Sequence, residues 1–218
     1  MTDKELAEGF IKINKAAMKA ISEGSFEEAI SIFREGMVLE ERLGLTVQAS
    51  ESLANIGNVF LSAGEYDEAL VYFQKAKESF TNTANTDGIV SMDLSIANIL
   101  ELEDDEADAE RQLTAALRVS RTGEQRGKVY YRIACLQLRT GNHYSAQESF
   151  TRALAEMERL NRREDMLLCL LTRASLFHQM NNEVSASRDI ARAKSIAYGS
   201  RRLMGIFEDA VSDLELDS

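Results

Sequence analysis

Three asparagines with a regular spacing are the residues best suited to binding chemistry in this chain. Asn55 and Asn58 lie three positions apart, which places them on one face of a helix, and Asn98 follows Asn58 after 40 residues. A carboxamide carries a hydrogen-bond donor and an acceptor side by side, so it can pair with a peptide unit whatever side chains that peptide has. The spacing therefore predicts a polar row that holds an extended segment by its backbone.

A second polar set is basic and consists of Lys128, Arg132 and Arg139. Ammonium and guanidinium groups bind carboxylates, so these residues are predicted to select an acidic side chain or a free carboxylate. Two alternatives stay open for these sets. The asparagines bond only to the backbone of neighbouring helices, or the arginines pair only with nearby carboxylates.

No pattern in the chain indicates catalysis or a cofactor. The run Gly123–Lys128 is loosely similar to a phosphate-binding loop, but one residue is missing between its glycines and Val129 stands where Ser or Thr would hold magnesium. His143 and His178 have no partner at ligand spacing. The acidic run 101–110 lacks the ligand order of a calcium-binding loop. We therefore predict no catalytic residue, no metal ligand and no cofactor, and a protein that is not an enzyme.

The elements that must position these side chains repeat along the chain. An alanine followed four residues later by Phe, Leu or Ile recurs at spacings of 40, 40, 37 and 40 residues. Two further sets of small residues keep the same period, and small side chains let paired helices approach to about 8–10 Å. The three sets are Ala29, Ala69, Ala109, Ala146 and Ala186; Ala17, Gly57, Ala97, Ala134 and Ala174; and Gly36, Ala76, Ala116, Ala153 and Ala193.

The copy of this pattern over Leu53–Ala76 resembles a tetratricopeptide repeat, with its apolar and small residues at that family's offsets. The residues that carry the resemblance are Leu53, Ile56, Gly57, Phe60, Ala69 and Phe73. The period of 40 residues and the absence of proline are similar to the subclass found in Pins-type adaptors and kinesin light chains. The resemblance implies an all-α fold: a right-handed α–α superhelix of five helix pairs with a C-terminal capping helix.

The repeats are predicted to fill a single domain over residues 1–218. Ser25 and Glu28 predict a capping box at the start of the second helix, and residues 81–88 predict a polar loop. The repeats are expected at about 10–43, 50–83, 90–123, 127–160 and 167–200, with the capping helix over 201–216.

In this family the first helix of each repeat lines the concave groove, and the resemblance implies which residues do so here. The predicted peptide-binding residues are Asn55, Asn58, Asn98, Lys128, Tyr131, Arg132 and Arg139. Further groove positions in the first three repeats are Ile11, Asn14, Lys15, Met18, Glu51, Ala54, Ser62, Ser91, Leu94, Ser95 and Leu102. Because Ile11, Met18 and Glu51 differ from the clamp that binds chaperone tails, such binding is not expected. The implied function is that of a non-enzymatic adaptor which binds a peptide or protein segment.

The net charge of −11 is divided unevenly along the chain. Residues 1–110 carry 8 Lys/Arg against 23 Asp/Glu, a net −15, whereas residues 111–218 carry 17 against 13, a net +4. This division disfavours nucleic acid and anionic membranes as partners of the first half and permits an acidic partner on the second. It also permits an alternative function, a self-associating scaffold in which the acidic half meets the basic half of another copy, so a homo-oligomer stays open.

The location is predicted to be cytoplasmic, because no window has the 18 or more apolar residues of a membrane span and the N-terminus lacks the order of a signal peptide. Cys135 and Cys169 each lie alone in a helical pattern. Neither a disulfide framework nor a zinc site is expected from them.

Overall fold

The computed structural model describes the backbone of residues 3–216 and the side chains of residue 9 and residues 11–212. Over residues 3–216 the chain forms eleven helices and no strand. The helices are α1 (Asp3–Ser22), α2 (Phe26–Arg42), α3 (Thr46–Ala63), α4 (Tyr66–Asn82), α5 (Thr86–Leu102), α6 (Glu106–Val119), α7 (Gly123–Arg139), α8 (His143–Arg159), α9 (Arg163–Gln179), α10 (Glu183–Ala197) and α11 (Arg201–Leu216). The predicted all-α helical-repeat class is confirmed.

The chain divides into two compact units, Met1–Gln112 and Leu113–Ser218, which we call unit 1 and unit 2. In unit 1, α1 to α5 pack in sequence, each on the next, and α3 also touches α5. In unit 2, α7 to α11 pack in the same way, α7 also touches α9, and α11 also contacts α9. Leu203 and Phe207 of α11 are buried. The extent of a single domain over 1–218 stays a prediction.

Most of the turns between helices have the same hydrogen-bonding pattern. In eight of them a residue in the left-handed conformation follows the helix end, and the amide after it donates to the carbonyl five residues earlier. Such a bond closes the last turn of the first helix, and the residue that donates it directly precedes the next helix. The left-handed residues are Gly24, Gly44, Gly64, Ala84, Asp104, Gly141, Asn161 and Asn181.

Two local predictions were wrong. Ser25 precedes α2, but its side chain makes no cap hydrogen bond, and its amide, which Glu28 would accept in a capping box, donates to the Ala20 carbonyl at 2.8 Å instead. The predicted loop over 81–88 is much shorter, since α4 ends at Asn82 and α5 begins at Thr86. A capping box is instead present at Thr122 and Gln125.

The three sets of small residues lie at helix contacts, as predicted, and all of them are buried. Gly57 shows why the size matters. A Cβ atom at this position would lie 2.7 Å from Cε1 of Phe73, inside van der Waals distance. Glycine therefore lets α3 approach α4 closely enough for the fully buried Phe73 ring to cover it.

Glu40 is a buried carboxylate of unit 1, and none of its main electrostatic interactions is with a cation. Glu40 of α2 is only 4% exposed and accepts a hydrogen bond from Ser52 Oγ of α3 at 2.8 Å. Burial raises the pKa of Glu40, the Ser52 hydrogen bond opposes that shift, and the nearby Glu51 and Glu41 charges reinforce it. The equivalent residues in other repeats, Phe80 and Met157, are buried and apolar.

Replacing Glu40 by glutamine is expected to stabilise the protein at neutral pH. In the folded state the raised pKa means that Glu40 binds its proton more tightly than in the unfolded state, so wild-type stability falls as the pH rises from about 4.5 through the folded pKa. Glutamine keeps an oxygen for Ser52 and removes the buried charge. Thermal unfolding of both proteins between pH 4.5 and 8 should give a gain that grows with pH; a gain independent of pH would contradict this explanation.

Candidate peptide-binding faces

The predicted groove residues of unit 1 occupy equivalent positions of three first helices, α1, α3 and α5. Met18, Asn58 and Asn98 share one position at intervals of 40 residues, and Ile11, Glu51 and Ser91 share another. The side chains opposite them are buried, so helix packing fixes which face is exposed. We call this set the asparagine face: Ile11, Asn14, Lys15, Met18, Glu51, Ala54, Asn55, Asn58, Ser62, Ser91, Leu94, Ser95, Asn98 and Leu102.

The asparagines of this face are accessible to a ligand. Asn58 is exposed, and Asn55 and Asn98 are half-buried. Among the described residues, the Asn55 and Asn58 carboxamides have no hydrogen-bond partner, whereas Asn98 does take part in an interaction. The backbone carbonyl of Asn58 accepts from Ser62 Oγ at 2.9 Å. Asn55 and Asn58 therefore present both their donors and their acceptors outward.

A buried polar network holds α5, the helix that carries Asn98. Asp93 is almost completely buried, and its Oδ1 accepts from Lys77 Nζ of α4 at 2.5 Å and from Gln112 Nε2 of α6 at 2.6 Å. Burial raises the pKa of Asp93, while Lys77 and Gln112 act in the opposite direction. The network ties α5 to both of its neighbours within unit 1 and so fixes the rotation of the helix that presents Asn98.

In unit 2 the predicted binding residues lie on α7, and we call them the basic face: Lys128, Tyr131, Arg132 and Arg139. Lys128 is exposed but forms an ion pair with Glu124 one turn earlier, at 3.0 Å. Arg139 is exposed and Arg132 is half-buried, and both take part in further interactions. The face presents cationic groups, of which Lys128 is already partly neutralised.

Tyr131 is the member of this face that is most engaged within the protein. Its hydroxyl lies 3.2 Å from Thr172 Oγ1 of α9, which itself donates to the Leu168 carbonyl. The tyrosine is therefore the donor in this pair. Its ring packs at a tilt against Phe150, and burial raises the pKa of Tyr131 to about 12. Tyr131 therefore joins α7 to α9 and is only partly accessible to a ligand.

Among the described residues, five other arginines in unit 2 pair with carboxylates on neighbouring helices, which sequence reasoning did not find. Arg173 forms the most enclosed pair, donating from Nε and Nη2 to the two oxygens of Asp189 at 2.7 and 2.9 Å. Arg162 joins Glu124 and Asp165. The remaining cross-helix pairs are Arg126–Glu156, Arg192–Glu158 and Arg202–Glu164. Part of the arginine-rich composition of the second half thus holds its helices together.

The residues considered for other chemistry occupy ordinary structural positions. His178 Nδ1 lies 2.9 Å from Glu183 Oε1 across the α9–α10 turn, a contact that the sequence spacing did not indicate. Cys169 is buried, and burial raises the pKa of its thiol. Within the described residues no group of three His, Cys, Asp or Glu side chains is placed to hold a metal ion. Among the described helices, none combines the length and apolar character that crossing a membrane requires.

Comparison with known proteins first defines the class of the fold. BtubC (BKLC) from P. vanneervenii has 18% identity and a TM-score of 0.72, with 86% of this chain and 79% of that chain covered. A Rap protein complexed with Competence and Sporulation Factor has 17% identity and a TM-score of 0.71, over 88% of this chain and 55% of that chain. A putative kinesin light chain from Podosopora anserina has 13% identity and a TM-score of 0.64, over 88% and 95%. At these identities the similarity establishes the helical-repeat fold.

Family models then define the repeat itself. Two models described as tetratricopeptide repeat match residues 50–78 and residues 127–155. The chain therefore contains tetratricopeptide repeats at these two places. It spans little more than half the length of the Rap structure that it resembles. No curated protein matches its sequence.

Proposed function

We propose that this protein is a non-enzymatic adaptor that binds an extended peptide or protein segment on the first-helix faces of its repeats. The observation that carries the proposal is the pair Asn55 and Asn58, whose carboxamides point outward without hydrogen-bond partners among the described residues. Two adjacent carboxamides can pair with successive peptide units. Each carboxamide would bind the backbone of the ligand, which gives affinity without requiring a particular side chain in the ligand.

The fold and one structural neighbour support this proposal. Tetratricopeptide repeats are in general non-catalytic scaffolds. The Rap neighbour was crystallised with Competence and Sporulation Factor, so a similar fold holds a bound factor. In unit 2 the basic face is proposed to select acidic side chains or a carboxylate, with Arg132 and Arg139 as its main cations and Tyr131 as a packing surface.

Replacing Asn58 and Asn98 by alanine is expected to abolish partner capture without unfolding the protein. Neither side chain is buried, so truncation leaves no cavity in the core. The double variant and the wild-type chain should be immobilised and exposed to native lysate, and the captured proteins compared by mass spectrometry. The expected result is a loss of the wild-type partners at an unchanged melting temperature.

A matched control is available on α4 of the same unit. Gln74 and Asn82 are exposed carboxamides outside the asparagine face, so the Q74A/N82A variant removes the same chemistry elsewhere. It should capture the wild-type partners. Unchanged recovery by N58A/N98A, or equal loss in both variants, would count against binding on the asparagine face.

Self-association is the less favoured function, because five arginines of unit 2 already pair with carboxylates of their own unit. These paired cations attract the acidic half of a second copy less strongly than unpaired ones would. Light scattering at low salt, where attraction between exposed charges is strongest, should therefore give the mass of a monomer. A dimer that dissociates on adding salt would support the scaffold instead.

A further inference from the structure

The asparagine face is not polar throughout, because α1 contributes two exposed apolar side chains to it. Met18 stands at the position that Asn58 and Asn98 occupy in the next two repeats, and it is 61% exposed. Ile11 lies two turns earlier on the same side of α1 and is 66% exposed. Large apolar side chains with this exposure form a contact surface at one end of the row.

A second apolar surface lies on α5 at the other end of the same row. Leu102 is 51% exposed, and Leu94 is half-buried two turns earlier. Between the two surfaces lies α3 with Asn55 and Asn58. Within unit 1 the exposed apolar side chains of the face therefore lie on α1 and α5, on either side of the two carboxamides of α3.

The distance between the two surfaces sets the spacing of the ligand side chains that fit them. Packed helices lie about 8–10 Å apart, so two steps from α1 to α5 cover roughly 20 Å. An extended chain advances about 3.3 Å per residue, which corresponds to about six residues. Side chains six residues apart also point to the same side of an extended segment, because they alternate with a period of two.

Charge restricts the ligand further. The face itself carries one positive and one negative side chain, Lys15 and Glu51. Residues 1–110, however, have a net charge of −15, which repels an acidic segment and attracts a basic one, while a neutral segment is not repelled. The ligand chemistry here thus differs from that expected at the basic face of unit 2.

We propose that the asparagine face binds an extended segment with two apolar side chains about six residues apart and no acidic residue between them. This proposal rests on the proposed function and adds to it the two side-chain positions that give selectivity. One apolar side chain contacts Ile11 and Met18, the other contacts Leu94 and Leu102, and the asparagines hold the peptide units between them.

The test uses the full chain and a fluorescein-labelled peptide with two leucines separated by five residues drawn from Ser, Thr and Gln. Fluorescence anisotropy should show binding of this probe. Binding should weaken by about tenfold or more when both leucines are replaced by serine, and similarly when the central residues are made aspartate. The I11S/M18S variant, which changes only exposed side chains, should also lose about tenfold or more in affinity.

Leu39 and Val71 provide a matched control, since both are exposed apolar residues outside the face. The L39S/V71S variant should bind the leucine probe like the wild type. Equal affinity for the leucine and serine probes, unchanged binding by I11S/M18S, or no binding of the leucine probe would overturn the proposal. So would preference for a helix-stabilised probe with the same leucines. In each case, continued loss of lysate partners by N58A/N98A would leave the proposed function standing.

Discussion

Replacing Arg173 by methionine is expected to lower the free energy of unfolding by about 3–5 kcal/mol. Arg173 and Asp189 are 14% and 5% exposed, and two hydrogen bonds join the guanidinium of α9 to the carboxylate of α10. Methionine fills similar space but leaves Asp189 buried and charged without its partner. The cost comes from that uncompensated charge rather than from the loss of an attraction. Urea unfolding followed by circular dichroism measures it.

Two further variants separate this cause from simple loss of packing. In R173M/D189L the lone charge is gone, and apolar residues that replace a buried ion pair usually restore stability, so most of the loss should be recovered. Arg152 and Glu148 form an exposed pair on α8, and R152M should lower the urea midpoint far less than R173M does. If R173M/D189L is as unstable as R173M, the buried charge is not the cause.

Replacing Phe73 by alanine is expected to cost a similar amount, about 3–5 kcal/mol. Phe73 is completely buried in the core of unit 1, and its ring covers the surface left open by Gly57. Truncation removes apolar burial and leaves a cavity that the helices on either side fill only in part. Thermal and urea unfolding both report the loss.

Val71, two residues earlier on α4, provides the control for this variant. It is exposed, so V71A should change stability by less than about 0.5 kcal/mol. A small effect of F73A, close to that of V71A, would show that unit 1 does not depend on the α3–α4 contact. The two variants together test whether the repeat period places the core residues correctly.

The periodic features of the fold could be predicted from the sequence because each repeat meets the same packing demand. The small residues recur every 40 positions since every helix pair must approach closely, and all of them are buried. The turns at Gly24 and Asn181 could also be predicted, because glycine and asparagine tolerate the left-handed conformation. Ala84 takes that conformation without any such signal, so the short α4–α5 turn was missed.

The polar pairs of the fold were beyond sequence reasoning, because each joins residues on different helices. Arg173 and Asp189 are 16 residues apart, and nothing in either local pattern marks the other as a partner. Glu40 offered a usable signal, since it stands where two other repeats have buried apolar residues. The accessibility of Asn58 followed from the helical period, whereas the engagement of Tyr131 with Thr172 required the structure.

The central claim is that the asparagine carboxamides themselves hold the bound segment, and nuclear magnetic resonance of their side-chain amide groups tests it most directly. A captured partner segment, or the two-leucine probe, should be titrated into the full chain labelled with nitrogen-15. The resonances of Asn55, Asn58 and Asn98 are expected to shift in proportion to occupancy, while those of Asn82 and Asn142 remain in place. A bound segment that leaves the first three resonances unmoved would contradict the claim.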